Sequence, residues 1–171
     1  LYDNQVYTIL NLDPPGLSES SPPEELDNAF QTLLAYQRGG LAWSPTGRVL
    51  AFVSAHEGGG GDIYLYTPSN GGLSRLTNLD LPEGRAHAYA LNWSADSARL
   101  FYSAAYSFGS GAGTWLAGAW VTTLNGDQVQ IAEGGQSFEE ELIAWLPGLQ
   151  GLVRSGGPDC DKQNLRMVNL R

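Results

Sequence analysis

The 171-residue chain has one cysteine, Cys160, one lysine, Lys162, and two histidines, His56 and His87. A lone cysteine forms no internal disulfide, so no cystine framework points to a compartment. Nine Lys and Arg face 18 Asp and Glu, a formal net charge of −9. That balance lacks the basic clusters that neutralise phosphates and argues against a nucleic-acid partner. No apolar run approaches the ~20 residues a spanning helix needs. The chain starts at Leu1 with no basic and apolar leader, so any targeting segment is expected to have been removed or to lie outside this piece. What remains is a 42% hydrophobic, 16% charged sequence, long enough for one domain with a sizeable core.

Catalytic signatures are equally scarce. The serine of "FGSGAG" at 108–113 lacks the glycine two positions before it that a nucleophile elbow requires, and that position is Phe108. Neither histidine sits in a recognisable triad signature. "DCDKQN" at 159–164 alternates oxygen ligands, yet no glycine stands at its sixth position and Leu170 takes the place of the bidentate glutamate. Four glycines in "SAHEGGGGDIYLY" at 54–66 are followed by Asp62 and a β-forming run rather than by Lys and a helix, so they read as a flexible connection between strands and not as a phosphate loop. No catalytic residue, cofactor or metal site is expected. Asn92-Trp93-Ser94 spells a glycosylation sequon, but on an inner strand where no glycan fits.

What the chain does have is a repeat. "LAWSPTGRVLAFVSA" at 41–55 aligns with "LNWSADSARLFYSAA" at 91–105 and more loosely with "IAWLPGLQGLVRSGG" at 143–157. Trp43, Trp93 and Trp145 coincide, as do Leu50, Leu100 and Leu152 seven positions later, a period of roughly fifty residues that suits propeller blades. Each unit reads as four strands. Strand A ends at the tryptophan, turn residues follow, and strand B is Val49 to Ser54 in the first unit and Leu100 to Ser103 in the second. Strands C, Ile63 to Thr67 and Trp120 to Leu124, lead into the turns Asn70-Gly71 and Asn125-Gly126. Strands D are then Leu73 to Thr77 and Gln128 to Ala132, Asn-Gly being a strong hairpin signal. "QVYTILNL" at 5–12 and "GLSES" at 16–20 supply strands C and D of an earlier blade, and "NLRMVNLR" ends the chain at another strand C.

The expected organisation is therefore a single all-β segment of about three four-stranded antiparallel blades from a larger propeller. Residues 1–20 are strands C and D of a preceding blade, 39–77 and 87–132 are blades, and 140–171 is an incomplete one. Residues 21–36 interrupt the pattern: Ser21, Pro22 and Glu24 read as a helix start, and Leu26, Phe30, Leu33 and Leu34 share one helical face. A short amphipathic helix packed on the propeller is expected there.

The first unit resembles the TolB-like, WD-like β-propeller repeat family, whose blades run W-S-P-D-G, an apolar strand, D-I-Y, G-G and R-L-T. Trp43, Ser44, Pro45, Gly47, Leu50, Phe52, Asp62, Ile63, Tyr64, Gly71, Gly72, Arg75, Leu76 and Thr77 match. Thr46 replaces the usual acidic residue. The second unit keeps Trp93, Ser94, Asp96 and Leu100 but has Ser97 for the usual glycine, and the third keeps Trp145, Pro147 and Leu152. The resemblance implies a β-propeller and protein-binding or scaffolding roles in exported, periplasmic or cell-surface proteins. Similar repeats also form the substrate-gating propeller of prolyl-oligopeptidase-like serine peptidases, and an extracytoplasmic sensor domain of a membrane protein is a further option.

The recurring tryptophans are expected in the core. Turns A–B and C–D are tight, whereas loops B–C (55–61, 104–113, 155–162) and D–A (21–40, 78–89, 133–141) are long and emerge on the opposite face. Binding residues concentrate on such loops. The candidates are Glu57, Asp62, Arg85, His87, Tyr106, Phe108, Glu139, Glu140, Glu141 and Asp159, whose carboxylates suit a basic protein or peptide. For Asp62 the competing reading is structural, with backbone N–H groups donating to it to close the glycine loop.

Overall fold

The computed structural model describes residues 9–11, 18–20, 24–32, 40–57, 60–81, 84–107, 114–135, 140–146, 150–155 and 164–169. Among these residues, four antiparallel sheets and one helix follow each other along the chain. β1 (Ile9–Asn11) pairs with β2 (Ser18–Ser20), and α1 (Glu24–Gln31) follows. The first full blade is β3 (Leu41–Trp43), β4 (Leu50–Ser54), β5 (Asp62–Thr67) and β6 (Gly72–Arg75), paired in that order. The second sheet contains β7 (Asp80–Leu81), β8 (Gly84–Trp93), β9 (Arg99–Ser107), β10 (Thr114–Thr123) and β11 (Gln128–Gly135), again in chain order. The third is β12 (Glu140–Leu146), β13 (Gln150–Ser155) and β14 (Asn164–Asn169). These up-and-down sheets are successive blades of a β-propeller.

Turn chemistry sets the strand ends. Ser44 closes the A–B turn by accepting the Val49 N–H on its hydroxyl at 3.1 Å, and Ser94 does the same for Arg99 at 2.9 Å. Gly47 and Ser97 both take positive φ, 67° and 60°, so the serine that replaces glycine occupies the left-handed position the turn demands. At the outer turn, Gly71 has φ 67° and the Gly72 N–H donates to Asn70 Oδ1 at 2.9 Å.

Alternation along the strands divides the core between blade faces. Ala51, Val53, Ile63 and Leu65 of the first blade meet Trp93, Leu100, Tyr102 and Trp120 of the second. Phe101, Ala119 and Val121 on the other side of the second blade meet Trp145 and Val168 of the third. Each junction carries the same indole bond between units. Trp93 Nε1 donates to the Ala42 carbonyl at 2.9 Å, and Trp145 Nε1 donates to the Asn92 carbonyl at 3.3 Å. In both cases the acceptor is the residue just before the preceding unit's tryptophan.

The tryptophans are nevertheless not equally buried. Trp93 is 7% exposed and Trp43 is 49% exposed. The rear of the first blade, Leu50, Phe52, Tyr64 and Tyr66, packs against Leu26, Ala29 and Phe30 of α1. Phe30 meets Phe52 edge-on with ring centroids 5.0 Å apart, and Ser54 Oγ donates to the Ala29 carbonyl at 2.7 Å. The expected helix start at Ser21 and Pro22, and Leu33 and Leu34, lie outside the described residues.

Two strand expectations need correction. Residues 84–89 and 104–107, expected in loops, are paired strand, with Ala86 opposite Tyr106 and Ala88 opposite Ala104. Likewise Glu133 to Gly135 extend β11, and Glu140 and Glu141 open β12. In the third unit, Trp145 pairs with Gly151, whereas Trp43 pairs with Leu50 and Trp93 with Leu100. Leu152 is thus one register position away from the leucines it aligns with in sequence. It pairs with Ala144 instead of with the tryptophan.

Candidate functional site

The long-loop end of the first two blades is built on the glycine connection and the strands of the second sheet. Asp62, at the start of β5, is 2% exposed. Its Oδ1 accepts the Thr77 hydroxyl at 3.0 Å and the Leu79 N–H at 2.8 Å, and its Oδ2 accepts Arg75 Nη2 at 2.6 Å. Thr77 Oγ1 in turn accepts the Ile63 N–H at 2.9 Å, and Arg75 Nε donates to the Thr77 carbonyl at 3.0 Å. Asp62, Arg75 and Thr77 therefore form a clamp joining strand C to the exit of strand D. The carboxylate lies beneath the face and serves this clamp, and it accepts the backbone N–H of Leu79 beyond strand D; Gly58 and Gly59 of the loop it is expected to close lie outside the described residues.

Glu57 stands above the clamp and is exposed. Its carboxylate meets Arg75 Nη1 at 3.3 Å, and its N–H donates to the Tyr64 hydroxyl at 3.2 Å. Burial, the largest influence, raises the Tyr64 pKa above its ordinary value. An ion pair this open contributes little to stability.

The glycine run does more than lend flexibility. Gly61 forms a parallel bridge with His87, and its carbonyl accepts the Ala88 N–H at 2.8 Å. A Cβ on Gly60 would lie 1.9 Å from the Ala86 carbonyl oxygen, so only glycine lets this loop lie against β8. Through that contact Glu57 and His87 come to the same end of the molecule. His87 is half-buried, and burial lowers its pKa below the usual imidazole value. Its ring centroid is 6.4 Å from that of Tyr89.

Arg85 is exposed on β8, with Asp80 of β7 as its register partner. Tyr106 belongs to the core between the first two blades, at 7% exposure, and is not a surface group. Glu140 and Glu141 are placed on β12 opposite Ser155 and Arg154. Phe108, Glu139 and Asp159 lie outside the described residues. The structure thus brings Glu57, Asp62, Arg85 and His87 to one region. Trp115 is exposed on β10 opposite Tyr106, on the sheet face toward the first blade, whereas Arg85 and His87 lie on the other face. Sequence reasoning misses Trp115 because 104–113 reads as a loop and strand C as beginning only at Trp120.

The second blade also rises above the first. Ser54 ends β4, but β9 runs three residues past its equivalent, Ala104, through Ala105, Tyr106 and Ser107. At 3.3 Å per residue this is a wall about 10 Å high. Among the described residues no three His, Cys, Asp or Glu side chains come together as a metal site, and no helix is long and apolar enough to cross a membrane.

No family model and no curated protein matches the sequence. Among solved structures the chain is similar to a TolB from Agrobacterium tumefaciens, with a TM-score of 0.50 and 14% identity over 78% of this chain and 47% of that one. It is also similar to an acylaminoacyl peptidase from Pyrococcus horikoshii, with a TM-score of 0.51 and 10% identity over 95% of this chain and 27% of that one. The chain spans about half the length of the first and about a quarter of the second. At these identities the likeness concerns the fold, and it agrees with the TolB-like propeller.

Proposed function

We propose that the chain is a non-catalytic, extracytoplasmic β-propeller module that binds a protein or peptide through its long-loop face. The observation that carries this reading is the raised edge of the second blade, which carries the exposed Trp115 on the face toward the first blade, whose glycine connection bears Glu57, and Arg85 and His87 on the other face. An exposed tryptophan on a rigid sheet is the kind of anchor that dominates protein interfaces, and the acidic balance favours a basic partner. Structural similarity to a TolB supports a scaffold of this type; fold alone does not specify the role.

A panel of extended peptides differing only in charge tests the reading by calorimetry. Lys- and Arg-rich peptides should bind tighter than neutral ones, Trp115→Ala should weaken them at least tenfold, and Glu57→Lys should abolish the charge preference. Binding that ignores both substitutions contradicts the proposal. The second reading, a substrate-gating propeller of a larger hydrolase, draws on the 95% coverage by the peptidase structure. It predicts weak peptide contacts indifferent to charge and to Trp115.

A further inference from the structure

We propose that Asn70 is a site of self-modification, where the Gly71 amide nitrogen closes onto the Asn70 side chain to form a succinimide that water opens to an aspartyl or isoaspartyl residue. The chain holds two Asn-Gly steps, Asn70-Gly71 between β5 and β6 and Asn125-Gly126 between β10 and β11, and both asparagines are exposed. A glycine after the asparagine favours this chemistry at both, because it has no Cβ to shield its nitrogen. The turns set the two apart. Gly126 is the fourth residue of a turn that starts at Thr123, and its N–H donates to the Thr123 carbonyl at 3.1 Å. The nitrogen that would attack Asn125 is thus held by the turn. Pro68 lengthens the other connection, so Asn70 is the fourth residue of the turn that starts at Thr67, and it is the Asn70 N–H that donates to the Thr67 carbonyl, at 3.3 Å. Gly71 falls just outside the closed turn, and among the described residues its N–H meets no acceptor.

The electrophile is prepared as well. The Gly72 N–H donates to Asn70 Oδ1 at 2.9 Å, which draws electrons from Cγ and stays in place as that oxygen takes up negative charge in the tetrahedral intermediate. The side chain is folded forward along the backbone, since a Cβ on Gly72 would lie 3.0 Å from Oδ1 and 3.5 Å from Cγ. The reaction needs only water. A bond forms between Gly71 N and Asn70 Cγ, the Cγ–Nδ2 bond breaks, and the Gly71 amide proton leaves through solvent with Nδ2 as ammonia. Water then opens either carbonyl of the ring. The aspartyl product adds one negative charge to a chain of formal charge −9. The isoaspartyl product also adds a methylene to the main chain at the head of β6, whose register sets Arg75 opposite Tyr64.

Mass spectrometry tests the assignment. The full chain is held at mildly alkaline pH, either folded or unfolded in urea, and peptide mapping with fragmentation that distinguishes isoaspartate follows both asparagines in time. Each folded rate is divided by the rate of the same site in the unfolded chain, which removes the effect of flanking sequence. That ratio should be at least about tenfold higher at Asn70 than at Asn125, the difference one hydrogen bond on the attacking nitrogen makes. Gly72→Ala keeps the N–H but places a methyl 3.0 Å from Oδ1, so the ratio at Asn70 should fall by about threefold or more while that at Asn125 stays unchanged. A smaller difference between the two sites, a smaller fall at Asn70 in Gly72→Ala, or a fall that Asn125 shares overturns the proposal.

Discussion

Asp62 illustrates how much a single residue decides in this fold. Its equivalent in the second blade follows from pairing: Asp62 lies opposite Ser54, and Gly118 lies opposite Ala104. Arg75 opposite Tyr64 likewise corresponds to Gln130 opposite Trp120. Where the first blade has the pair of buried Asp62 and part-exposed Arg75, the second has Gly118, and Trp120 stacks on Tyr102 at 5.5 Å. A Cβ at 118 would come within 2.8 Å of the Trp120 ring and the Ala132 carbonyl. The D-I-Y and R-L-T motifs flag the clamp's members in the sequence, but not that Asp62 reaches the Leu79 N–H, because that bond depends on the path of the chain after strand D. Asp62→Ala should destabilise the chain by about 3 kcal/mol in urea unfolding, since it leaves the buried Thr77 hydroxyl and Leu79 N–H without their acceptor; a loss below ~1 kcal/mol would reduce the clamp to a surface pair. Ser97→Gly should stabilise by about 1 kcal/mol, because a non-glycine residue at φ 60° carries left-handed strain. His87 sets a pH dependence. Burial favours its neutral form, so the unfolded chain binds the proton more readily. Its contribution is present above the ordinary imidazole pKa of about 6.5 and is lost as pH falls through that value toward the depressed folded pKa. The wild-type Tm should drop more steeply below that pH than the Tm of His87→Gln.

At the scale of elements, the Asn-Gly turns and the paired strands around them are legible in the sequence, because φ > 0 at glycine and β-branched or aromatic runs act locally. The extensions of β8, β9 and β10 are not. "GRAHAY", "SAAYS" and "TWLAG" are rich in Ala, Gly and Ser, and their strand conformation comes from pairing with each other rather than from propensity. β8 reaches its extension through an irregularity between Tyr89 and Asn92, where Ala90 has φ 54°. The helix is legible from its apolar spacing, while its role as the cover of one blade face emerges only from packing. The contact between the glycine connection and β8 is the most exposed to test. Gly60→Ala must push the loop away from the Ala86 carbonyl, at a cost of about 1–3 kcal/mol. It should also speed amide exchange at Ala88, whose N–H donates to Gly61. Unchanged protection at Ala88 would refute the close-approach account.

For the whole molecule, the fifty-residue period carries the architecture, because the tryptophan of each later unit binds the unit before it. The period does not reveal that the first tryptophan lies open or that the third unit shifts by one register position, since both depend on pairing and packing partners rather than on the motif. Nor can loop length alone locate the face residues, as the burial of Asp62 and Tyr106 shows. The central claim is that successive sheets stack face to face, each locked by its indole to the backbone of the preceding one. A ¹⁵N-resolved nuclear Overhauser spectrum of the chain tests it most directly. The Trp93 indole proton should show contacts to the backbone at Ala42 and Trp43, and the Trp145 indole proton to that at Asn92 and Trp93. Indole protons that see only residues of their own sheet would contradict it.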